Sequence, residues 1–316
     1  MTRYVLRRLA LSLVTLFLIV VIVFLVNNVF PSDIGRRLSG PFAPQAQVDQ
    51  VNEKLGTNDP LIDQFGRLIK GVATFDYGDS YAQNRPVSDV IGQAFWRSMK
   101  LLVYALVLTI PLSIMAGIFA ARRRGKLADR TIVTLGVASS SIPEFVSSVI
   151  LQALIGVKLG WFHVVAKAPE GASIRTQLSY LTLPALALVI VYFGYIARMT
   201  RAGVIGALDA DYTRTATMKG LSKSQVMRRH VLRNGLQATV SVIGVQIGYV
   251  FGSLVAIELI FNYPGLGLTI ANAAGKDPPV LVAGVLVVAT AYMLATLAAD
   301  LVLAWMNTRA RMEVSR

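Results

Sequence analysis

Three ionisable side chains, Glu144, Glu258 and Asp300, stand inside runs that are otherwise apolar and long enough to cross a lipid bilayer. A charged group in hydrocarbon is costly, so such residues mark a polar pathway or an interhelical pair. Glu144 follows Pro143 near the middle of its run, where the proline can open the helix and free carbonyl groups beside a carboxyl. The chemistry on offer there is attraction of a cationic substrate group. Glu258 lies near the outer end of its run and Asp300 near the inner end of the last, within reach of water or of a partner helix. Glu258 stays a pathway candidate beside Glu144, although structural pairing suits both it and Asp300. The run that holds Glu258 also carries Gly244, Gly248 and Gly252, a doubled small-xxx-small pattern that lets another helix approach closely. At 100° per residue, Gln246, Tyr249 and Ser253 point roughly away from those glycines. That face lines a polar route or bonds neighbouring helices.

Enzyme chemistry has little to work with. The two histidines, His163 and His230, fall in aqueous segments on opposite sides of the membrane, so no histidine-based metal cluster or catalytic triad assembles within one chain. No G-x-x-x-x-G-K-[ST] phosphate loop is present, so the chain is not expected to hydrolyse nucleotide. The absence of cysteine excludes disulfides and thiolate metal sites. The expectation is a protein that is not an enzyme and binds no metal or cofactor itself, any ATP dependence coming from another subunit.

The most distinctive segment is Thr200 to Leu236, TRAGVIGALDADYTRTATMKGLSKSQVMRRHVLRNGL, a basic stretch between two membrane-length apolar runs. From about Asp209 to Lys219 it reads as a helix, followed by Gly220, where a left-handed C-terminal cap costs least. Ser222 and Gln225 then form an S-x-x-Q capping box that starts a second helix. A polar helix pair in this place must face an aqueous partner.

The elements that position these residues follow from composition. The chain has 316 residues, 54% of them hydrophobic, and a mean hydropathy of +0.59. Six runs approach or exceed the ~20 apolar residues that a spanning helix needs: about Leu9 to Phe30, Leu101 to Ala121, Thr131 to Val157, Leu178 to Ala197, Ala238 to Phe261 and Val280 to Met306. They predict an all-α integral membrane protein with six transmembrane helices. The first run is too long for a secretory signal core and lacks an A-x-A-like site, so it is expected to be retained as a helix.

Orientation follows from the basic residues in the loops. With the N-terminus inside, the inner segments hold Arg3, Arg7 and Arg8; Arg122, Arg123, Arg124, Lys126 and Arg130; eight more between Arg198 and Arg233; and Arg309, Arg311 and Arg316. Those are 19 of the 31 lysines and arginines, which places both termini and the basic helix pair in the cytoplasm. The net charge of +14 then reflects an inner face opposite anionic lipid headgroups and calls for no nucleic acid.

Residues 31–97 form the one large outer segment. Val48, Val51 and Leu55 recur at helical spacing, and a second helix restarts after Asn58, Asp59 and Pro60 with Leu61, Ile62, Phe65, Leu68 and Ile69 on its apolar side. The organisation expected is a first helix in 1–30, an extracytoplasmic helical cap in 31–97, and a five-helix core in 98–316 that contains the segment 200–236. The cap is either a packed loop or a docking surface for an external protein.

Taken in order, RYVLRRL, PVSDVI at Pro86 to Ile91, GKLADR at Gly125 to Arg130, VKLGW at Val157 to Trp161, DYTRTATMKGLS, RRHVLRNGL and IELIFNYPGLG closely resemble the permeases of bacterial dipeptide and oligopeptide ABC importers. The resemblance covers almost the whole chain and is most specific between Ala197 and Gly267. It implies the type I importer permease architecture in the bacterial inner membrane, and it implies partners: a second homologous permease, one or two ATP-binding subunits that hold ATP and Mg, and an extracytoplasmic substrate-binding protein. In that family the cytoplasmic helix pair is the EAA loop, a coupling helix that docks on an ATP-binding subunit. Carried over by position, Arg214, Thr215 and Ala216 stand at the name-giving Glu-Ala-Ala and Gly220 at its glycine, with Asp211, Tyr212, Lys219, Leu221 and Ser222 in the same segment. Departures are Leu236-Gln237 where Leu-Pro is usual, FDYGDS at Phe75 to Ser80 where G-D-[LF]-G-x-S is usual, and Glu144 where a small or hydroxyl residue is more familiar.

The reading is therefore a permease forming half of the pathway for dipeptides or oligopeptides. A nickel, opine or glutathione importer is the alternative within the family. A stand-alone secondary transporter or channel, or a membrane scaffold, explains the apolar helices but leaves the capped basic pair without a task.

Overall fold

The computed structural model describes residues 2–29 and 34–306. The end of the first apolar run at Phe30, the side chains of Arg3, Arg7 and Arg8, and Arg309, Arg311 and Arg316 lie outside the described residues. Among the described residues the regular structure is helical, with one isolated bridge between Asp79 and Pro86. The first helices are α1 (Thr2–Val29), α2 (Ile34–Ser39), α3 (Gln45–Leu55) and α4 (Leu61–Thr74). Then come α5 (Val87–Arg122), α6 (Leu127–Ser140), and α7 (Glu144–Leu151), which runs on as a π-helical segment Gln152–Lys158. The long α8 (Ile174–Asp209) is followed by α9 (Asp211–Met218), α10 (Lys223–Val226), a π-helical turn Met227–Val231 and α11 (Leu232–Gly235). The last are α12 (Gln237–Ile260), α13 (Leu266–Ala273) and α14 (Pro278–Met306).

Four of these helices, α5, α8, α12 and α14, are long and apolar enough to cross a membrane. The third apolar run, expected as one span, is instead α6 and α7 joined through a bend of 103°, a fifth crossing if the pair counts as one. The bend has a local cause. Ser140 Oγ donates to the Gly136 carbonyl at 2.9 Å and Ser141 Oγ to that of Val137 at 2.9 Å, bonds that compete with the helical ladder. Pro143 then lacks the donor that would continue the helix and steers Ile142 away from helical dihedrals. It caps α7 instead. In α1 the apolar stretch among the described side chains is Ala10–Val26.

Packing divides the chain into two compact units, one drawn from residues 1–99 and 264–291, the other from 100–263 and 292–316. In the first, Val87, Val90, Ile91 and Ala94 of α5 pack with Leu266 and Ala273 of α13 and Val280 and Ala283 of α14. The apolar side of α4, with Phe65, Leu68, Ile69 and Val72, lies against Val20 of α1 and Val282 and Leu286 of α14. Buried Asp277 fixes the loop between α4 and α5, accepting from Ser80 Oγ at 2.5 Å and from the Ala82 N–H at 3.1 Å. Burial, reinforced by the negative charge of Asp277, pushes the Tyr81 hydroxyl above its ordinary range.

The second unit is built around α8, which packs on α6, α7, α11 and α12. At 36 residues it is about 54 Å long, well beyond the ~30 Å of a hydrocarbon core. It meets α6 where Gly136 faces Gly194, and a Cβ on Gly194 would stand 1.9 Å from the Gly136 carbonyl oxygen. Further along, Gly203 meets Gly235 in the same way.

Candidate functional site

The basic helix pair grows out of the end of α8. The helix continues past its apolar run to Asp209, then turns at Ala210, whose extended backbone (ψ 148°) separates α8 from α9. The first helix of the pair therefore starts at Asp211, two residues later than the sequence pattern indicates. Thr213 and Ala216, three residues apart, form its buried side, and Thr213 Oγ1 donates to the Ala207 carbonyl at 2.6 Å. Ala216, Val226 and Val231 close a small core with Ala121, Val204 and Ala207, which fixes the pair to α8 and to the end of α5.

The turn between the two helices is set by local chemistry. Gly220 sits at φ +78°, a left-handed conformation that glycine adopts without penalty, and its N–H donates to the Thr217 carbonyl at 3.0 Å. The Gln225 N–H donates to Ser222 Oγ at 3.3 Å, and the Ser222 N–H donates to Gln225 Oε1 at 2.9 Å, a complete capping box. Of the coupling candidates, Asp211, Tyr212, Arg214, Thr215, Lys219, Gly220 and Ser222 are exposed, Leu221 is half-buried and Ala216 is buried. Met218, which the pattern did not single out, is 80% exposed and Tyr212 is 41% exposed. An outward face with apolar side chains among cations is a surface that fits a protein partner.

The helix ends beside this segment are tied together by ion pairs. Asp129, 2% exposed at the start of α6, accepts from Arg201 of α8 through both carboxylate oxygens, from Nε to Oδ1 and from Nη2 to Oδ2 at 2.7 Å; the Gly125 N–H adds a bond of 2.8 Å. Arg124 and Asp209 make a second, exposed ion pair at 2.8 Å.

Two of the membrane candidates, Glu144 and Ser253, join in a connected group. Ser253, buried on α12, donates to Glu144 Oε1 at 3.2 Å. With that proton committed, the hydroxyl of Tyr192 on α8 donates to Ser253 Oγ at 2.8 Å. Three helices thus converge on Glu144 at the head of α7. Gln246 lines a narrow crevice with Thr109, Leu188, Tyr192, Ile196 and Val250. Tyr249 is 61% exposed, whereas Glu258 is fully buried. Gly244 lies against Ala299 and Gly248 against Tyr292 of α14, while nothing stands within 4 Å of a Cβ at Gly252. Tyr192, the Asp129–Arg201 pair and the Gly136–Gly194 crossing are the parts that the sequence pattern left unmarked. No group of three or more metal-ligating side chains forms among the described residues.

Residues 113–312 match the family model described as "Binding-protein-dependent transport system inner membrane component", and residues 1–115 match its N-terminal counterpart. The glutathione transport system permease protein GsiC of Escherichia coli strain K12 is 34% identical over 312 residues, covering 98% of this chain and 99% of that protein. GsiC of Shigella dysenteriae serotype 1 is similar to the same extent. A crystal structure of an amino acid ABC transporter with histidines aligns at 16% identity with a TM-score of 0.48, over 70% of this chain and 94% of that one. The relatives are inner-membrane permeases, in keeping with the long apolar helices, and the chain lies in the bacterial inner membrane as a multi-pass protein. The chain belongs to the family of binding-protein-dependent transport system inner membrane components: it is a permease subunit of an ABC importer, a transport protein and not an enzyme.

Proposed function

We propose that this permease forms half of an import pathway for glutathione or a closely similar short peptide, and that the helix pair of α9 and α10 docks on an ATP-binding subunit. The observation that carries the proposal is the outward face of that pair, held to α8 by a buried core and offered to solvent around the Gly220 turn. The motifs of the chain resemble dipeptide and oligopeptide permeases, but relatives matched over nearly its whole length are named for glutathione transport, so the narrower substrate has the better support. The topology proposed is six spans with both termini in the cytoplasm, in line with the basic residues of the inner loops. The partners are a second permease, one or two ATP-binding subunits and an extracytoplasmic binding protein.

Closure of the ATP-binding subunits around nucleotide pushes on α9. Because Ala216, Val226 and Val231 lock the pair against Val204 and Ala207, the push moves the inner end of α8 rather than a loose loop. α6 follows, since Arg201 holds Asp129 and Gly194 is in close contact with Gly136. The pathway opens outward, accepts the peptide from the binding protein, and returns after hydrolysis. Nucleotide drives this cycle only by binding the two states with different affinity.

The test is uptake into proteoliposomes that contain the full complex, with ATP inside and the loaded binding protein outside. Glutathione accumulation that stops without ATP supports the proposal. Uptake that proceeds without ATP, or is confined to a metal complex or an opine, overturns it.

A further inference from the structure

Two ionisable side chains flank the bend between α6 and α7, and among the described residues neither forms an ion pair. On the α7 side stands Glu144, half-buried, with Oε1 bonded to Ser253. On the α6 side stands Ser140, whose Oγ accepts at 3.3 Å from Nη2 of Arg198, a half-buried residue of α8. The Nε of Arg198 donates to the Gly194 carbonyl at 3.1 Å, and its guanidinium lies 5.8 Å from the centre of the Tyr195 ring. These bonds aim the two groups without neutralising them. Among the described residues no ion pair includes Glu144 or Arg198, although Asp129 with Arg201 and Arg124 with Asp209 show that ion pairs form readily elsewhere in the unit.

A half-buried carboxyl inside one apolar run and a half-buried guanidinium at the end of another, each held by neutral partners, are expensive unless something of opposite charge visits them. The bend is what makes a visit possible, because it interrupts the helical wall between them. We infer that Glu144 and Arg198 form a binding site for the two ends of a short peptide, Glu144 receiving the ammonium group and Arg198 the terminal carboxylate. The assignment rests on the importer reading and sharpens its substrate class.

Tyr192, which holds Ser253 and through it Glu144, is six residues from Arg198 on α8, or about 9 Å along the helix axis, and the two side chains leave the helix towards α12 and α6. An extended chain covers at most about 3.3–3.6 Å per residue, so a peptide of a few residues is on the scale of that rise.

The experiment uses the complete complex in proteoliposomes and three probes: glutathione, its analogue without the α-amino group, and its C-terminal amide. Rates of Glu144→Gln and Arg198→Gln are divided by the wild-type rate for the same probe, so that the preference of the binding protein cancels. Loss of a hydrogen-bonded charge contact of about 1.5–3 kcal/mol corresponds to roughly a 10- to 100-fold slower uptake at limiting substrate. Glu144→Gln is expected to slow glutathione and the amide by that factor and the deaminated analogue by less than about threefold. Arg198→Gln is expected to spare the amide instead. Equal slowing of all three probes by each variant overturns the site while leaving the importer reading intact. So does loss of the second permease from either purified variant, which assigns the charges to an intersubunit pair. A wild-type complex that imports none of the probes removes the glutathione reading and this site with it.

Discussion

Gly194 of α8 and Gly136 of α6 meet backbone to backbone. A Cβ placed on Gly194 would lie 1.9 Å from the Gly136 carbonyl oxygen and 2.6 Å from its Cα. In a membrane, where apolar burial does little to hold helices together, this kind of close approach supplies much of the packing. In the proposed cycle the crossing passes a movement of α8 to α6, so its loss should affect both stability and transport.

Gly194→Ala is therefore expected to force the two backbones apart, at a cost of about 1–3 kcal/mol or more. Gly206 lies on the same helix with nothing within 4 Å of a Cβ. Gly206→Ala should be neutral or slightly stabilising, because alanine is the better helix former by about 1 kcal/mol. Thermal unfolding of the two variants in the purified complex checks the contrast. Equal stability would mean that the crossing is looser than described.

The Asp129–Arg201 pair makes a second contrast. The Asp129 side chain is 3% exposed and that of Arg201 27%, so Asp129→Asn strands a half-buried guanidinium, at a cost of about 3 kcal/mol. The Arg124–Asp209 pair is more than half exposed on both sides, and Asp209→Asn should cost about 1 kcal/mol or less. Denaturation midpoints measured at low and high salt separate them. Only the exposed pair is expected to weaken with salt.

Gly220 separates strain from uncoupling. At φ +78° with open space around its Cβ position, Gly220→Ala should cost only about 1–2 kcal/mol of backbone strain and keep transport. Gly220→Pro locks φ near −65° and removes the donor to Thr217, so the turn cannot form. Expected is a complex whose ATP hydrolysis continues without substrate uptake. Normal binding-protein-stimulated uptake by the proline variant would argue against a coupling role for this turn.

How much of this was legible in the sequence depended on how local its cause is. The Gly220 turn and the Ser222–Gln225 capping box were readable because both are fixed by residues within a few positions. The bend at Ser141 to Pro143 was not, since the apolar pattern runs through it and Pro143 alone marks only a possible break. The Gly136–Gly194 contact and the Asp129–Arg201 pair join residues that lie 58 and 72 positions apart, and nothing near either partner identifies the other. Tyr192 escaped notice for the same reason: an isolated tyrosine in an apolar run gives no sign that it will meet Ser253. The Gly244–Gly248–Gly252 repeat, a strong pattern, meets α14 at its first two members and open space at the third.

The central claim is that the outward face of α9 is covered by an ATP-binding subunit in the working importer. The chain has no cysteine, so Met218→Cys places a single thiol on that face. In the assembled complex in inside-out vesicles, a short bifunctional reagent should link this thiol to the ATP-binding subunit, and bound nucleotide should change the yield. A thiol that reacts with a water-soluble maleimide at the same rate with and without the ATP-binding subunit, and links to nothing, would contradict the claim.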